Sequence, residues 1–154
     1  MTVTLDGNPP VTATGTTSWS ASLPCAQLTV AANHTIAAVA NDGTNNSTPA
    51  TATFIFDNTV PTVTISAPAT VNTPTVTANG AANDNDQVSR IEVSVNGGPR
   101  SNVSIVPSAA VSWSAGGLAL NPGLNTLVAF ATDRAGNEGS ASTNVTYNVP
   151  TFDL

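Results

Sequence analysis

The sequence predicts an all-β fold: two tandem β-sandwiches, the first of them lacking its early strands. Three observations carry this reading. Thr, Val, Ala, Ser and Asn fill most of the chain, and β-branched residues suit a pleated, half-buried surface while Ser and Thr suit its wet face. Apolar residues alternate with polar ones along many short runs, punctuated by 11 Gly and 11 Pro, as turns between strands require. Finally, the second half of the chain repeats the first, which marks one folding unit copied in tandem.

The repeat sets the boundaries. Val3-Thr4-Leu5-Asp6-Gly7 recurs as Val93-Ser94-Val95-Asn96-Gly97, and the stretch around Trp19 recurs around Trp113. His34 to Asp42 matches Asn125 to Asp133, with Asn46 falling on Asn137, and Val60-Pro61-Thr62 returns as Val149-Pro150-Thr151. The separations of these blocks are 90, 94, 91 and 89 residues. The junction is Asp57-Asn58-Thr59-Val60-Pro61, where proline stiffens the connection and cannot donate to a ladder. Residues 1–58 therefore read as an incomplete repeat, 59–150 as a complete one, and 151–154 as a tail or the start of a further repeat.

In the complete repeat the strands are expected at Thr62–Ser66, Pro74–Asn79, Val88–Asn96, Asn102–Ile105, Val111–Ser114, Leu118–Leu120, Asn125–Thr132 and Ala141–Asn148. Turns are expected at Asn79-Gly80, Asn83 to Asp86, Asn96-Gly97-Gly98, Gly116-Gly117, Asn121-Pro122-Gly123 and Ala135-Gly136-Asn137. This density of short strands is that of an immunoglobulin-type sandwich. With a single cysteine the chain has no internal disulfide, so packing alone holds each unit.

In the first copy, Thr2–Leu5 aligns with the third strand of the second copy, so counterparts of Thr62–Asp86 are missing. Two readings stay open. The chain is a piece of a longer array, or another chain supplies the strands by complementing an open sheet edge. The tail Thr151-Phe152-Asp153-Leu154 is a donor in the second reading and a truncated repeat in the first.

With these blocks in view, the chain resembles the bacterial immunoglobulin-like (Big) tandem repeats of surface adhesins and related extracellular proteins. Val-Thr-Leu-Asp-Gly, Ser-Trp-Ser and Phe-Asp-Asn-Thr-Val-Pro-Thr-Val-Thr-Ile carry the likeness. So does Ala131-Thr132-Asp133-Arg134-Ala135-Gly136-Asn137, which fits the family's late-hairpin pattern; the first copy, Ala40 to Asn46, keeps the Asp and the final Asn but loses the Ala-Gly. The resemblance implies an extracellular or cell-surface location and a non-catalytic stalk or filament-forming role, with neighbouring repeats or further copies as partners. The alternative is an adhesin-type module recognising carbohydrate or protein through loops such as Ala81–Gln87 and Pro107–Ala110.

Carboxylates are scarce, so their placement carries information. In an immunoglobulin sandwich, Asp57, the run Asp84 to Asp86, and Asp133 with Asn137 and Glu138 fall at one end. Oxygen ligands gathered there suit Ca²⁺, which takes six to eight at about 2.3–2.6 Å, and the resemblance implies ions held between repeats. The expected ligands are Asp57, Asp84, Asp86, Asp133 and Asn137. The competing reading is that these residues only shape turns, as Asx side chains do. The first copy has Asp42 without the other partners, so its equivalent site is expected to be weak or absent.

Other candidates are weighed in the same way. Trp19 and Trp113 are expected as core anchors, or else as carbohydrate platforms; His34 is expected as a surface turn residue. Cys25 reads as an inert thiol, or as an inter-chain bridge in an oxidising compartment. Sequons at Asn33, Asn45, Asn46, Asn102 and Asn144 matter only in a glycosylating host. Lys and Arg number 3 against 9 Asp and Glu, a formal charge of −6. That excludes a phosphate-tracking groove for nucleic acid and a polybasic membrane patch. No apolar run reaches the roughly 18–20 residues of a membrane span, and the N-terminus shows no signal peptide. No nucleophile motif, phosphate loop or zinc cluster points to an enzyme.

Overall fold

The computed structural model describes residues 1–26, 28–30 and 32–150, and these are all-β. The tail at 151–154 lies outside the described residues. The chain divides into two units, Met1–Asp57 and Asn58–Leu154. The first holds β1 (Thr2–Leu5), β2 (Val11–Thr12), β3 (Thr14–Gly15), β4 (Trp19–Ser20), β5 (Ala32–Val39) and β6 (Ala50–Phe56). The second holds β7 (Thr62–Val63), β8 (Thr70–Val71), β9 (Thr75–Val95), β10 (Ser101–Val103), β11 (Ser108–Ala119), β12 (Gly123–Asp133) and β13 (Glu138–Tyr147).

In the second unit β9 runs for 21 residues and serves both layers of a sandwich. Its first half pairs with β11, which sets Gly80 opposite Trp113, and with β7. Its second half pairs with β12 and β10, so that Val93 lies between Ala129 and Ser101. β13 extends the second layer and β8 joins it in parallel. One layer is thus β7–β9–β11 and the other β10–β9–β12–β13–β8. Alternate residues point inward, as the pleat requires. Val76, Ala78 and Ala82, Ile91 and Val93, Val111, Trp113 and Ala115, and Leu127, Ala129 and Ala131 are all buried in one core. Complete burial of a side chain such as Ile91 or Leu127 contributes about 1.5–3 kcal/mol each.

Three expected turns are something else. Asn79-Gly80 lies inside β9, because a side chain at Gly80 would meet the Thr64 carbonyl oxygen and the Trp113 ring. Asn83 to Asp86 also lies inside β9, where the strand passes from one layer to the other and the pairing skips between Val88 and Asn83. Gly116-Gly117 is a bulge in β11, shifting the register between Ala115 and Leu118. Ala81–Gln87 and Ser108 to Ala110 are accordingly strand rather than recognition loop. β8 lies between the expected strands Thr62–Ser66 and Pro74–Asn79.

The first unit is a four-stranded antiparallel sheet ordered β2–β1–β5–β6, with a separate ribbon of β3 and β4. Its register reproduces one layer of the second unit. Val3 pairs with Ala38 and Val11 as Val93 pairs with Ala129 and Ser101. Ala38 pairs with Ala50, and Ala32 with Phe56, as Ala129 pairs with Ala141 and Gly123 with Tyr147. Every equivalence is an offset of 90 or 91 residues. Val3 and Leu5 are buried. Nothing in the described first unit stands where β7, β8 and the first half of β9 stand in the second.

Candidate metal centre

Asp133 closes β12 and is 2% exposed. Its carboxylate organises the hairpin to β13: Oδ1 accepts from the Gly136 and Asn137 amides at 2.6 and 2.8 Å, and Oδ2 from Asn137 Nδ2 at 2.7 Å. The Asp133 amide donates in turn to the Asn137 carbonyl at 3.0 Å. Gly136 adopts φ 98°, a left-handed conformation that favours glycine.

Asp84 sits in β9 at the crossing between the layers. Its Oδ2 accepts from the Asp86 and Gln87 amides at 2.8 and 3.1 Å. Its Oδ1 is buried and accepts no hydrogen bond among the described residues. One carboxylate oxygen of Asp84 and one of Asp133 lie within 4.8 Å of each other. Two carboxylates that close repel, a repulsion that the amide donors to each offset in part. The donor set is oxygen only, the kind that hard cations take.

Of the five expected ligands, Asp84 and Asp133 come together, with Asn137 bonded to Asp133. Asp86 does not point to this pair through its Oδ2, which the Arg134 guanidinium holds at 2.8 Å. Asp57 is the last residue of the first unit. Asp42 repeats only the turn: Oδ1 accepts from the Thr44 and Asn45 amides at 2.8 and 2.7 Å, and Asn41 Nδ2 donates to Asn46 Oδ1 at 2.7 Å. The amides of Asn45 and Thr44 hold the Asp42 carboxyl below its ordinary range.

The two tryptophans differ. Trp113 is 4% exposed, whereas Trp19 is 45% exposed, so the core-anchor expectation holds only for the second unit. His34 corrects an expectation outright, since it is 4% exposed on β5. Its Nδ1 lies 2.6 Å from Asp6 Oδ2 and its Nε2 2.9 Å from the Thr29 carbonyl, with the Phe54 ring 5.5 Å away. The reason is the repeat: Asp6 and His34 take the places of Asn96 and Asn125. There, Asn96 Nδ2 donates to Asn125 Oδ1 at 2.8 Å. Asp6 Oδ1 accepts from the Thr35 amide at 2.7 Å just as Asn96 Oδ1 accepts from the Thr126 amide at 2.9 Å. The joint change at both positions was the available signal.

Arg100 is a second residue that the sequence left unremarked. It grips Glu138 with two hydrogen bonds of 2.7 and 3.0 Å and lies 3.5 Å over the Phe130 ring. That guanidinium holds the Glu138 carboxyl below its ordinary range. Cys25 is an exposed free thiol.

No family model matches the chain, and no curated protein matches it. Solved structures do. The fibronectin(III)-like modules of Clostridium thermocellum CbhA align with a TM-score of 0.58 and 18% identity, over 96% of this chain and 78% of that one. The PKD1 domain of Vibrio anguillarum Epp aligns with a TM-score of 0.43 and 20% identity, over 61% of this chain and all of that domain. The fold is an immunoglobulin-like β-sandwich fold, as the layers of the second unit already define it.

Proposed function

We propose that the chain is a pair of bacterial immunoglobulin-like repeats acting as a non-catalytic stalk or assembly module of an extracellular surface or filament-forming protein. The observation that carries this is the residue-by-residue recurrence of one layer at offsets of 90 to 91. Copying the register of a strand layer while its side chains change preserves a scaffold rather than a reactive site. A glycan and surface-protein binding screen on the whole chain tests the reading, and a stalk module binds nothing in it. Saturable micromolar binding that maps to one unit overturns it in favour of an adhesin-type module.

We further propose that the Asp84–Asp133 pair of the second unit holds Ca²⁺. The donor set is oxygen only, and the buried Asp84 Oδ1 is a ligand atom with no competing donor. An ion that binds the folded state alone stabilises it by RT ln(1 + [L]/Kd), about 2.7 kcal/mol at a hundredfold excess over Kd. The melting temperature of the second unit should rise in millimolar Ca²⁺ over EDTA, and Asp84→Asn should remove the rise. Equal melting in Ca²⁺ and EDTA would leave these residues as turn-formers.

A further inference from the structure

The first unit carries one layer of the sandwich, and its inner face is less completely covered than that of the second unit. Leu127, Ala129 and Val145 are fully buried, while their counterparts Ile36, Ala38 and Phe54 are only half-buried. Trp113 is covered; its counterpart Trp19 is 45% exposed. What covers Trp113 is specific. The first half of β9 lies alongside β11 with Gly80 opposite the indole, so close that a Cβ there would stand 2.6 Å from Trp113 Cζ2. The first unit keeps a trace of this seat, because β3 sets Gly15 opposite Trp19, but the ribbon is two residue pairs long.

We infer that the Trp19 face of the first unit is a docking surface for one extended strand with the chemistry of Val76–Ala82. That strand alternates apolar residues toward the face and places a glycine over Trp19, displacing β3 from β4. This deepens the assembly reading above and rests on it. The segment from Thr75 to Asn83 contains no charged residue, and the inner face it would cover presents Val3, Leu5, Ile36, Ala38 and Phe54 beside the internally paired Asp6 and His34. Val3 and Leu5 are already buried there, so the part left for a neutral strand to cover is the half-buried Ile36, Ala38 and Phe54, and no charge is stranded. Larger residues over the indole are excluded by the same contact that makes Gly80 necessary.

The test titrates the full 154-residue chain with a synthetic peptide of residues 62–83 while following tryptophan emission and iodide quenching. Trp113 is already buried, so any blue shift reports Trp19. Saturable blue-shifting and protection are expected, weakened at least tenfold when the peptide carries Gly80→Val. A second arm places an extra copy of residues 58–90 ahead of Met1, where it continues in register into β1. There Trp19 should become inaccessible to iodide. Unchanged Trp19 emission in both arms overturns the docking strand and leaves the stalk reading standing, since the binding screen does not depend on Trp19. Equal binding by the Gly80→Val peptide overturns the glycine seat and with it the proposal.

Discussion

At the scale of single residues, the pair Asp6–His34 is the sharpest difference between the two units. Each ring nitrogen of His34 faces an oxygen, Asp6 Oδ2 on one side and the Thr29 carbonyl on the other. A neutral ring has one N–H, so one nitrogen would turn a lone pair toward an acceptor. The imidazolium satisfies both. The Thr29 carbonyl first, and Asp6 next, accordingly raise the His34 pKa above its ordinary 6.5. The Thr35 amide first, and His34 next, lower Asp6 below 3.8. The His34 contribution is fully present below pH 6.5 and is lost as pH rises through the raised value. The Asp6 contribution is present above pH 3.8 and is lost as pH falls through the lowered one. The first unit should thus be most stable between these limits, and its melting temperature should fall from pH 6 toward pH 9. Asp6→Asn with His34→Asn copies the Asn96–Asn125 arrangement, and should flatten the profile. A wild-type melt independent of pH over that range would contradict the charged pairing. None of this was legible in the sequence around His34, where Asn33 and Thr35 mark a wet surface. Its partner lies 28 residues away.

At the scale of elements, β9 shows what sequence patterning reads and what it misses. Alternating Ile91, Val93 and Val95 announces a strand, as does the pairing-competent run of β12. Asn79-Gly80 and the Asn-Asp run that follows read as turns, because those residues populate turns far more often than strand interiors. Tertiary packing overrides that preference. The indole of Trp113 occupies the space of a side chain at position 80, and the crossing between layers recruits Asp84 to cap its own backbone. Asp133 and Asn137 were legible as a hairpin because the whole motif is local, whereas the approach of Asp84 to Asp133 depends on the crossing. The two tryptophans then give a paired expectation. Trp113→Ala removes a buried ring and should cost about 3–5 kcal/mol. Trp19→Ala, at an exposed site, should cost about 0.5 kcal/mol or less. Urea denaturation of each variant measures both, and equal costs would mean that the exposed ring is as tightly packed as the buried one.

At the scale of the whole molecule, the first unit repeats the register of one layer of the second but not its core. Val3 and Leu5 are the buried apolar side chains of the first unit among the described residues, while the second packs both of its layers around Ile91, Val93, Trp113, Leu127 and Val145. Apolar burial is the main favourable term in folding, and conformational entropy opposes it in proportion to length. A layer with so few fully buried apolar side chains gains little of the first and loses much of the second. The chain should therefore unfold in two steps, the first unit at lower denaturant. Trp113→Phe leaves Trp19 to report the first unit, and Trp19→Phe leaves Trp113 to report the second. The Trp19 signal should change first and follow pH, as the Asp6–His34 pair dictates. The Trp113 signal should change later, and should move with Ca²⁺ where the Asp84–Asp133 pair binds the ion. Coincident transitions with both reporters, at every pH and Ca²⁺ concentration, would show one cooperative body and refute this division of stability.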